Sequence, residues 1–277
     1  MARDTVELET LFYGFPGDGV AVLTLNRPDF GNGVVPEMAR DLQAAFDDLE
    51  GDLDIRAIVL TGAGRQFCAG ADLKALQKYL DERLHIEQEP FNARVLFSIT
   101  QRITTSRLPF VAAINGGATA GGLDLALACD IRIASSVAKL GETYIKMGLA
   151  PGNGGTYFLP RLVGSGMAAE LALTGDIVSA ARALEIGLVN RVVEPDELLD
   201  ASIQLAEKLA SRPRKAIEAT KQALRSSWSN DLATAMSSSF WVTSALFYTD
   251  DLKEGVASFL EKREPRFNKK RTDRDRG

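Results

Sequence analysis

Phe110-Val111-Ala112-Ala113-Ile114-Asn115-Gly116-Gly117-Ala118-Thr119-Ala120-Gly121-Gly122-Leu123-Asp124-Leu125-Ala126-Leu127-Ala128 runs from an apolar segment through small residues into a second apolar segment. Phe110 to Ile114 suits a strand buried on both faces. Asn115 to Gly121 lacks bulky side chains and lets another group approach the main chain closely. Gly122 to Ala128 reads as a helix with Asp124 in its first turn, where an acid also favours the helix dipole. The same order stands earlier in the chain. Ala57-Ile58-Val59-Leu60-Thr61 suits a buried strand, Gly62 to Gly70 a glycine-rich loop, and a helix follows from about Asp72. Such repetition predicts stacked β-β-α units rather than a plain doubly wound sheet.

Working outward, Val6 to Tyr13 and Val20 to Leu25 alternate like strands around the turn Pro16-Gly17-Asp18-Gly19. Pro36 to Leu49 places Met38, Leu42, Ala45, Phe46 and Leu49 on one helical face. Phe91 to Thr105 reads as a long helix and Asp130 to Ala134 as a further strand. The density of glycine from Leu140 to Thr156 predicts a shaped loop rather than a regular element. Beyond Val193 the pattern turns helical: Glu197–Ala210, Pro213–Ser226, Leu232–Tyr248 and Leu252–Arg263. The third of these is aromatic and is expected to be partly buried against the core or a neighbouring subunit. These shifts predict an α/β core over residues 1–195, a helical region over 196–267 and a polar, basic, disordered tail over 268–277.

Composition removes several function classes. The 277 residues carry a formal net charge of −5, which argues against a general nucleic-acid-binding surface. The basic residues Arg212, Arg214, Lys215, Lys221 and Arg225 read as the solvated face of a helix. No apolar run has membrane-spanning length, and the first residues lack a signal-peptide core. Two cysteines, Cys68 and Cys129, lie far apart in apolar settings, so a reducing cytoplasm is the simplest location. The single histidine, His85, sits in a charged helical stretch. A histidine-rich metal site is thereby excluded, no metal is expected, and any Ser-His-Asp triad would need His85. Catalysis then falls to carboxylates, tyrosine, lysine or backbone groups.

The two small-residue turns carry the chemistry. Each leaves free N–H groups at a helix start, a setting that favours an anion or a polarised oxygen. Phe67 stands where a dinucleotide-binding fingerprint needs its third glycine, and no phosphate-binding Gly-Lys-[Ser/Thr] occurs. The bland alternatives are a tight turn capped by Asp72 and a helix-dipole acid at Asp124. Taken together, two such turns on neighbouring strands can place two N–H donors around one oxygen, an oxyanion hole.

These segments, with Leu140–Thr156, resemble the enoyl-CoA hydratase/isomerase (crotonase) superfamily. Further matches are Asn26-Arg27-Pro28, Ala128-Cys129-Asp130, Leu173-Thr174-Gly175-Asp176, Ala183–Val189 and Glu254–Arg263, so the similarity runs from about Val6 to Phe267. The resemblance implies a spiral of β-β-α units with a helical C-terminal trimerisation region, as a homotrimer or a hexamer made of two trimers. It implies an acyl-CoA substrate, coenzyme A entering as part of that substrate, and no tightly bound cofactor, nucleic acid or membrane as partner. Carried over by position, Ala71 and Gly121 donate the oxyanion-hole N–H groups. Ala69, Asp72, Leu73 and Lys74 line the CoA end, and Lys262 is a further cation for it.

Family hydratases place glutamates at two acid/base positions; here these are Asp124 and Tyr144. Glu142, two residues before Tyr144, competes for the second place. Ala120 stands where the family has the first glycine of its triple. Neutral tyrosine is a poor base but donates a hydrogen bond or orients a substrate. The expectation is an enoyl-CoA hydratase or double-bond isomerase with Asp124 as general acid/base. The alternatives are an acyl-CoA hydrolase or decarboxylase of the same superfamily and a non-catalytic CoA-ester-binding homologue; an RNA-binding role is a third. Tyr79, Phe91, Phe97 and Trp241 are candidates to shape the acyl pocket.

Overall fold

The computed structural model describes residues 3–82 and 93–268. His85 and Phe91 lie outside the described residues, as does the tail beyond Asn268. Among the described residues two sheets are built. The larger runs in the order β1 (Val6–Glu7), β2 (Leu11–Gly17), β3 (Val20–Leu25), β4 (Ala57–Gly62), β6 (Phe110–Ile114), β8 (Ile131–Ser135), β11 (Arg191–Val193). From β3 onward every pairing is parallel. The smaller sheet runs β10 (Val178–Ser179), β9 (Lys139–Gly141), β7 (Gly117–Thr119), β5 (Gln66–Cys68).

The period of two in β4 and β6 explains why both strands are wholly buried. Ile58, Leu60, Phe110, Ala112 and Ile114 enter the main core, with Met38, Leu42 and Phe46 of α1 (Pro36–Gly51) and Ile99 of α3 (Ala93–Thr105). Ala57, Val59, Val111 and Ala113 face the other way, under Leu198, Leu205, Ala206 and Ala210 of α8 (Leu198–Ala210). A parallel sheet covered on both faces needs apolar residues at every position.

The repeated unit has two strands because each glycine-rich loop contains a short one. β4 leads through β5 to α2 (Leu73–Asp81), and β6 through β7 to α4 (Gly121–Ala128). β8 leads through β9 and a 3-10 turn at Thr143–Met147 to α5 (Gly155–Val163). The segment Leu140–Thr156, expected to be a loop, therefore holds the end of a strand, that turn and the start of a helix. Its glycines terminate these elements: Gly148 and Gly154 take positive φ at the turn's end and the helix's start. α6 (Ser165–Thr174) and α7 (Ala180–Glu185) bracket β10 and lead to β11.

α8, α9 (Arg214–Ser226), α10 (Leu232–Leu246) and α11 (Asp250–Glu261) are the last elements among the described residues. Lys215 of α9 is exposed, as is Arg212 before it, but the other basic residues expected on that face are not solvated. Lys221 is buried, with its ammonium on the carbonyls of Ile103 and Leu108 and on Asp130. Arg225 bonds Ala128 and Asp130, and Arg214 pairs with Glu218. The cations of Lys221 and Arg225 satisfy carbonyls of the core and Asp130, which spacing alone does not reveal. α10 buries none of its residues; Leu232, Met236, Phe240 and Trp241 are exposed. No helix among the described residues is long and apolar enough to cross a membrane.

Candidate active site

The first turn is held by the segment after β3. Asn32 accepts from the Arg27 N–H and donates its amide to the carbonyls of Ala63 and Gln66. Gly70 takes φ +91°, and its carbonyl accepts from Val34 N–H at 2.7 Å. Val34 in turn accepts from Asp72 N–H at 3.1 Å. Asp72 caps α2 through the N–H groups of Lys74 and Ala75, and its other oxygen meets Arg27 at 2.8 Å. Its carboxyl is held low by the Arg27 hydrogen bond and the two N–H groups, which outweigh burial. The Arg27 and Lys74 cations stand over the Phe30 ring. Leu73 and Lys74 are exposed beside this turn, while Ala69 and Ala71 are half-buried.

The second turn lies against the first. Thr119 Oγ1 donates to Ala69 O at 3.1 Å. A Cβ on Gly70 would stand 3.2 Å from Gly121 N, and one on Gly122 only 1.9 Å from Cys68 O. The second contact excludes any side chain at Gly122, and at Gly70 the tight contact adds to the positive φ in favouring glycine. Ala120 precedes α4 with φ 48° and ψ −123°, a conformation that a side chain strains by about 1–3 kcal/mol. The Ala120 N–H donates to Gly141 O, which ties this turn to the third unit. Among the described residues no hydrogen bond uses the N–H of Ala71 or of Gly121. The two candidate donors thus flank one junction of backbone.

Asp124, one turn into α4, is fully buried. Its Oδ2 accepts a 2.6 Å hydrogen bond from the Tyr144 hydroxyl, which accepts one of 2.7 Å from Asn153 Nδ2. A Cβ on Gly121 would lie 3.3 Å from that hydroxyl, so the acid/base group adjoins the Gly121 turn. Burial and the neighbouring Asp124 raise the Tyr144 phenol well above its usual range, which keeps it a donor.

Glu142 joins the cluster as well. Its side chain is buried, and neither carboxyl oxygen has a hydrogen-bond donor among the described residues; the same holds for Asp124 Oδ1. The two carboxyls converge on Gly155, where a Cβ would meet Asp124 Oδ1 at 2.5 Å and Glu142 Oε1 at 2.7 Å. Burial first, then the Asp124 charge, pushes Glu142 up to about 9. Burial pushes Asp124 up to about 6, against the hydrogen bond from Tyr144 and the nearby N–H groups of Asn153 and Gly155. The two carboxyls therefore titrate as a coupled pair. Tyr144 and Glu142, competitors by sequence, therefore both reach Asp124. Asn153 and Gly155 gave no signal as single residues; they emerge only from the packing of the third unit on α4.

The remaining expected residues lie apart. Lys262 is exposed at the end of α11 with φ 53°. Phe97 and Trp241 are exposed by 47% and 69%, so neither is a core residue of this chain. No group of three metal-ligating side chains forms among the described residues.

The enoyl-CoA hydratase/isomerase family model matches residues 16–270. The chain is 38% identical to a short-chain-enoyl-CoA hydratase of Clostridium acetobutylicum over 88% of this chain and 92% of that one. It is 40% identical to an (E)-benzylidenesuccinyl-CoA hydratase of Thauera aromatica, over 90% of this chain and 95% of the other. Its fold matches the crystal structure of an enoyl-CoA hydratase from Bacillus anthracis with a TM-score of 0.88 at 35% identity, covering 94% of this chain and 99% of that one. A matching family model over most of the chain, relatives of nearly equal length and a shared crotonase fold make this chain a member of the enoyl-CoA hydratase/isomerase family.

Proposed function

We propose that the protein is an enoyl-CoA hydratase or double-bond isomerase that works through a thioester enolate. The N–H groups of Ala71 and Gly121 hold the developing oxyanion, and Asp124 is the general acid/base. The observation that carries this reading is the buried Asp124–Tyr144 hydrogen bond set against the Gly121 turn. In hydration, water oxygen bonds to C3 as Asp124 takes its proton, the C2–C3 π electrons pass to the thioester oxygen, and the proton returns to C2. In isomerisation of a 3-enoyl thioester, Asp124 removes a proton from C2 and returns it at C4. Each route needs one carboxyl that both accepts and delivers a proton, and Tyr144 orients it. Removing one oxyanion donor from such a site typically costs ~10²–10³ in rate.

Ala69, Asp72, Leu73 and Lys74 fit the CoA end, since they adjoin the Ala71 N–H and include an exposed cation. Lys262 fits it from a neighbouring copy, because the exposed Leu232, Met236, Phe240 and Trp241 of α10 offer an apolar face for a trimer. A cytoplasmic setting suits the two buried, unpaired thiols. Tyr144 at the position where family hydratases carry their second glutamate favours a second reading, hydrolysis or decarboxylation of the acyl-CoA, in which the hydroxyl orients the leaving group.

Crotonyl-CoA and 3-enoyl-CoA substrates separate the reactions. Turnover of one of them, with a loss of at least ~10² in kcat for Asp124→Asn, is the expected result. Full activity in that variant removes Asp124 from the mechanism. Release of free CoA or carbon dioxide from a thioester panel, without hydration or isomerisation, selects the second reading.

A further inference from the structure

We infer that Glu142 is a positioning residue for Asp124: it carries a proton and donates it in a hydrogen bond to Asp124 Oδ1, across the space left open by Gly155. The inference rests on Asp124 being the acid/base group, but its geometric basis is separate. Asp124 Oδ1 and both oxygens of Glu142 are buried without a donor among the described residues. Two acceptors of one charge converge where a Gly155 Cβ would stand. No lysine or arginine pairs with either carboxyl among the described residues. One proton placed between them resolves both problems, since it supplies the missing donor and removes one buried charge.

The remaining neighbours leave this proton in place. The Tyr144 hydroxyl is engaged with Oδ2, the Asn153 side chain meets that hydroxyl rather than Glu142, and the N–H groups of Asn153 and Gly155 lie toward Asp124 without a hydrogen bond to Oδ1. Cys68 packs beneath the first turn of α4 at Gly122, and its thiol is raised by burial to about 12. Leu96 of α3 and Phe158 of α5 approach the site as apolar groups. Glu142 and Tyr144 therefore clamp the two oxygens of a short side chain from opposite ends. Asp124 is held in one plane, ionised, and ready to take a proton from substrate or water. Loss of the Glu142 proton would place two charges in a dry space and release the clamp.

The test compares wild type, Glu142→Gln and Glu142→Ala. Glutamine keeps a donor toward Oδ1 but has no proton to lose. In wild type, kcat is expected to fall tenfold per pH unit on the alkaline side, as the pair gives up its last proton. Glu142→Gln is expected to stay within about tenfold of wild type at neutral pH and to lack that alkaline limb. Glu142→Ala is expected to be weaker than Glu142→Gln at every pH. An alkaline limb that is the same in wild type and Glu142→Gln overturns the inference. Infrared spectra of the resting protein give a reading that needs no substrate. A protonated-carboxyl C=O stretch at neutral pH that vanishes in Glu142→Gln supports the shared proton; its absence from wild type overturns it. If Asp124→Asn stays active while this band is present, the functional reading fails and the proton assignment stands.

Discussion

The Tyr144 hydroxyl donates to Asp124 at 2.6 Å while Asn153 donates to that same hydroxyl at 2.7 Å. A donor chain of this kind aims a carboxylate and stabilises its ionised form. Hydrogen bonds to charged groups contribute about 1.5–3 kcal/mol. Tyr144→Phe removes the donor and keeps the ring, so kcat on the acyl-CoA substrate is expected to fall ~10- to 150-fold. The sign of the pH effect follows from the same contact. The hydroxyl lowers the Asp124 value, so its removal raises that value further and moves the acid limb of kcat to higher pH. A pH–rate profile of the variant measures both effects.

Stability carries an independent signature of Glu142. Its folded value, about 9, lies above the ordinary glutamate value of 4.5. Below the unfolded value both states hold the proton and Glu142 has no pH-dependent effect. As pH rises from about 4.5 toward 9, the unfolded chain releases the proton and the folded chain keeps it, so stability falls. Glu142→Gln is free of this loss. It is expected to match wild type near the acid end of the window and to be more stable at pH ~8 by at least ~1 kcal/mol, or ~2–4 °C in Tm. Thermal melts across that range measure the gap, and a gap that does not widen with pH contradicts the assignment.

The order of elements was legible because burial leaves periodic marks. β4 and β6 read as buried strands since every residue in them is apolar or small, and α1 read as a helix from Met38, Leu42, Ala45, Phe46 and Leu49. The strands β5, β7 and β9 left almost no mark. Gln66–Cys68, Gly117–Thr119 and Lys139–Gly141 are short, and their pairing comes from neighbouring turns of the spiral rather than from their own side chains. The site divided in the same way. Asp124 and Tyr144 were visible as residues in expected places, whereas the convergence of Glu142 on Asp124 depends on a missing Cβ at Gly155. Lys221 was misread because an amphipathic helix pattern does not say whether a cation meets water or a ring of carbonyls.

Ala120 is the one residue with a side chain that takes positive φ in the turn before α4. Replacing it with glycine relieves about 1–3 kcal/mol of strain and costs roughly 0.5–1 kcal/mol in unfolded-state entropy. Ala120→Gly is therefore expected to be stabilising by ~0–2.5 kcal/mol without loss of turnover. Ala120→Val adds a branched side chain to the same conformation and is expected to lower both the denaturation midpoint and kcat, since the Gly121 N–H turns with it. Chemical denaturation and steady-state assays of the two variants check the pair of outcomes.

Lys221 tests the reading of α9 as a core-facing helix. Its ammonium sits 2.9 Å from Ile103 O, 2.7 Å from Leu108 O and 2.9 Å from Asp130, and stands 5.2 Å from the Phe110 ring centroid. Burial lowers its value, and the Asp130 partner opposes that shift. Truncation to Ala leaves two carbonyls without this donor and weakens the support of Asp130, which retains Arg225 and the Phe110 N–H. Breaking a buried ion pair from one side costs about 3–5 kcal/mol. Lys221→Ala is expected to lower Tm by ~6–20 °C, given ~2–4 °C per kcal/mol for a chain of this size. The exposed Lys215→Ala on the same helix is expected to change stability by no more than ~0.5 kcal/mol. Equal melts for the two variants would mean that Lys221 faces solvent, and a nucleic-acid patch on α9 would then regain its central residue.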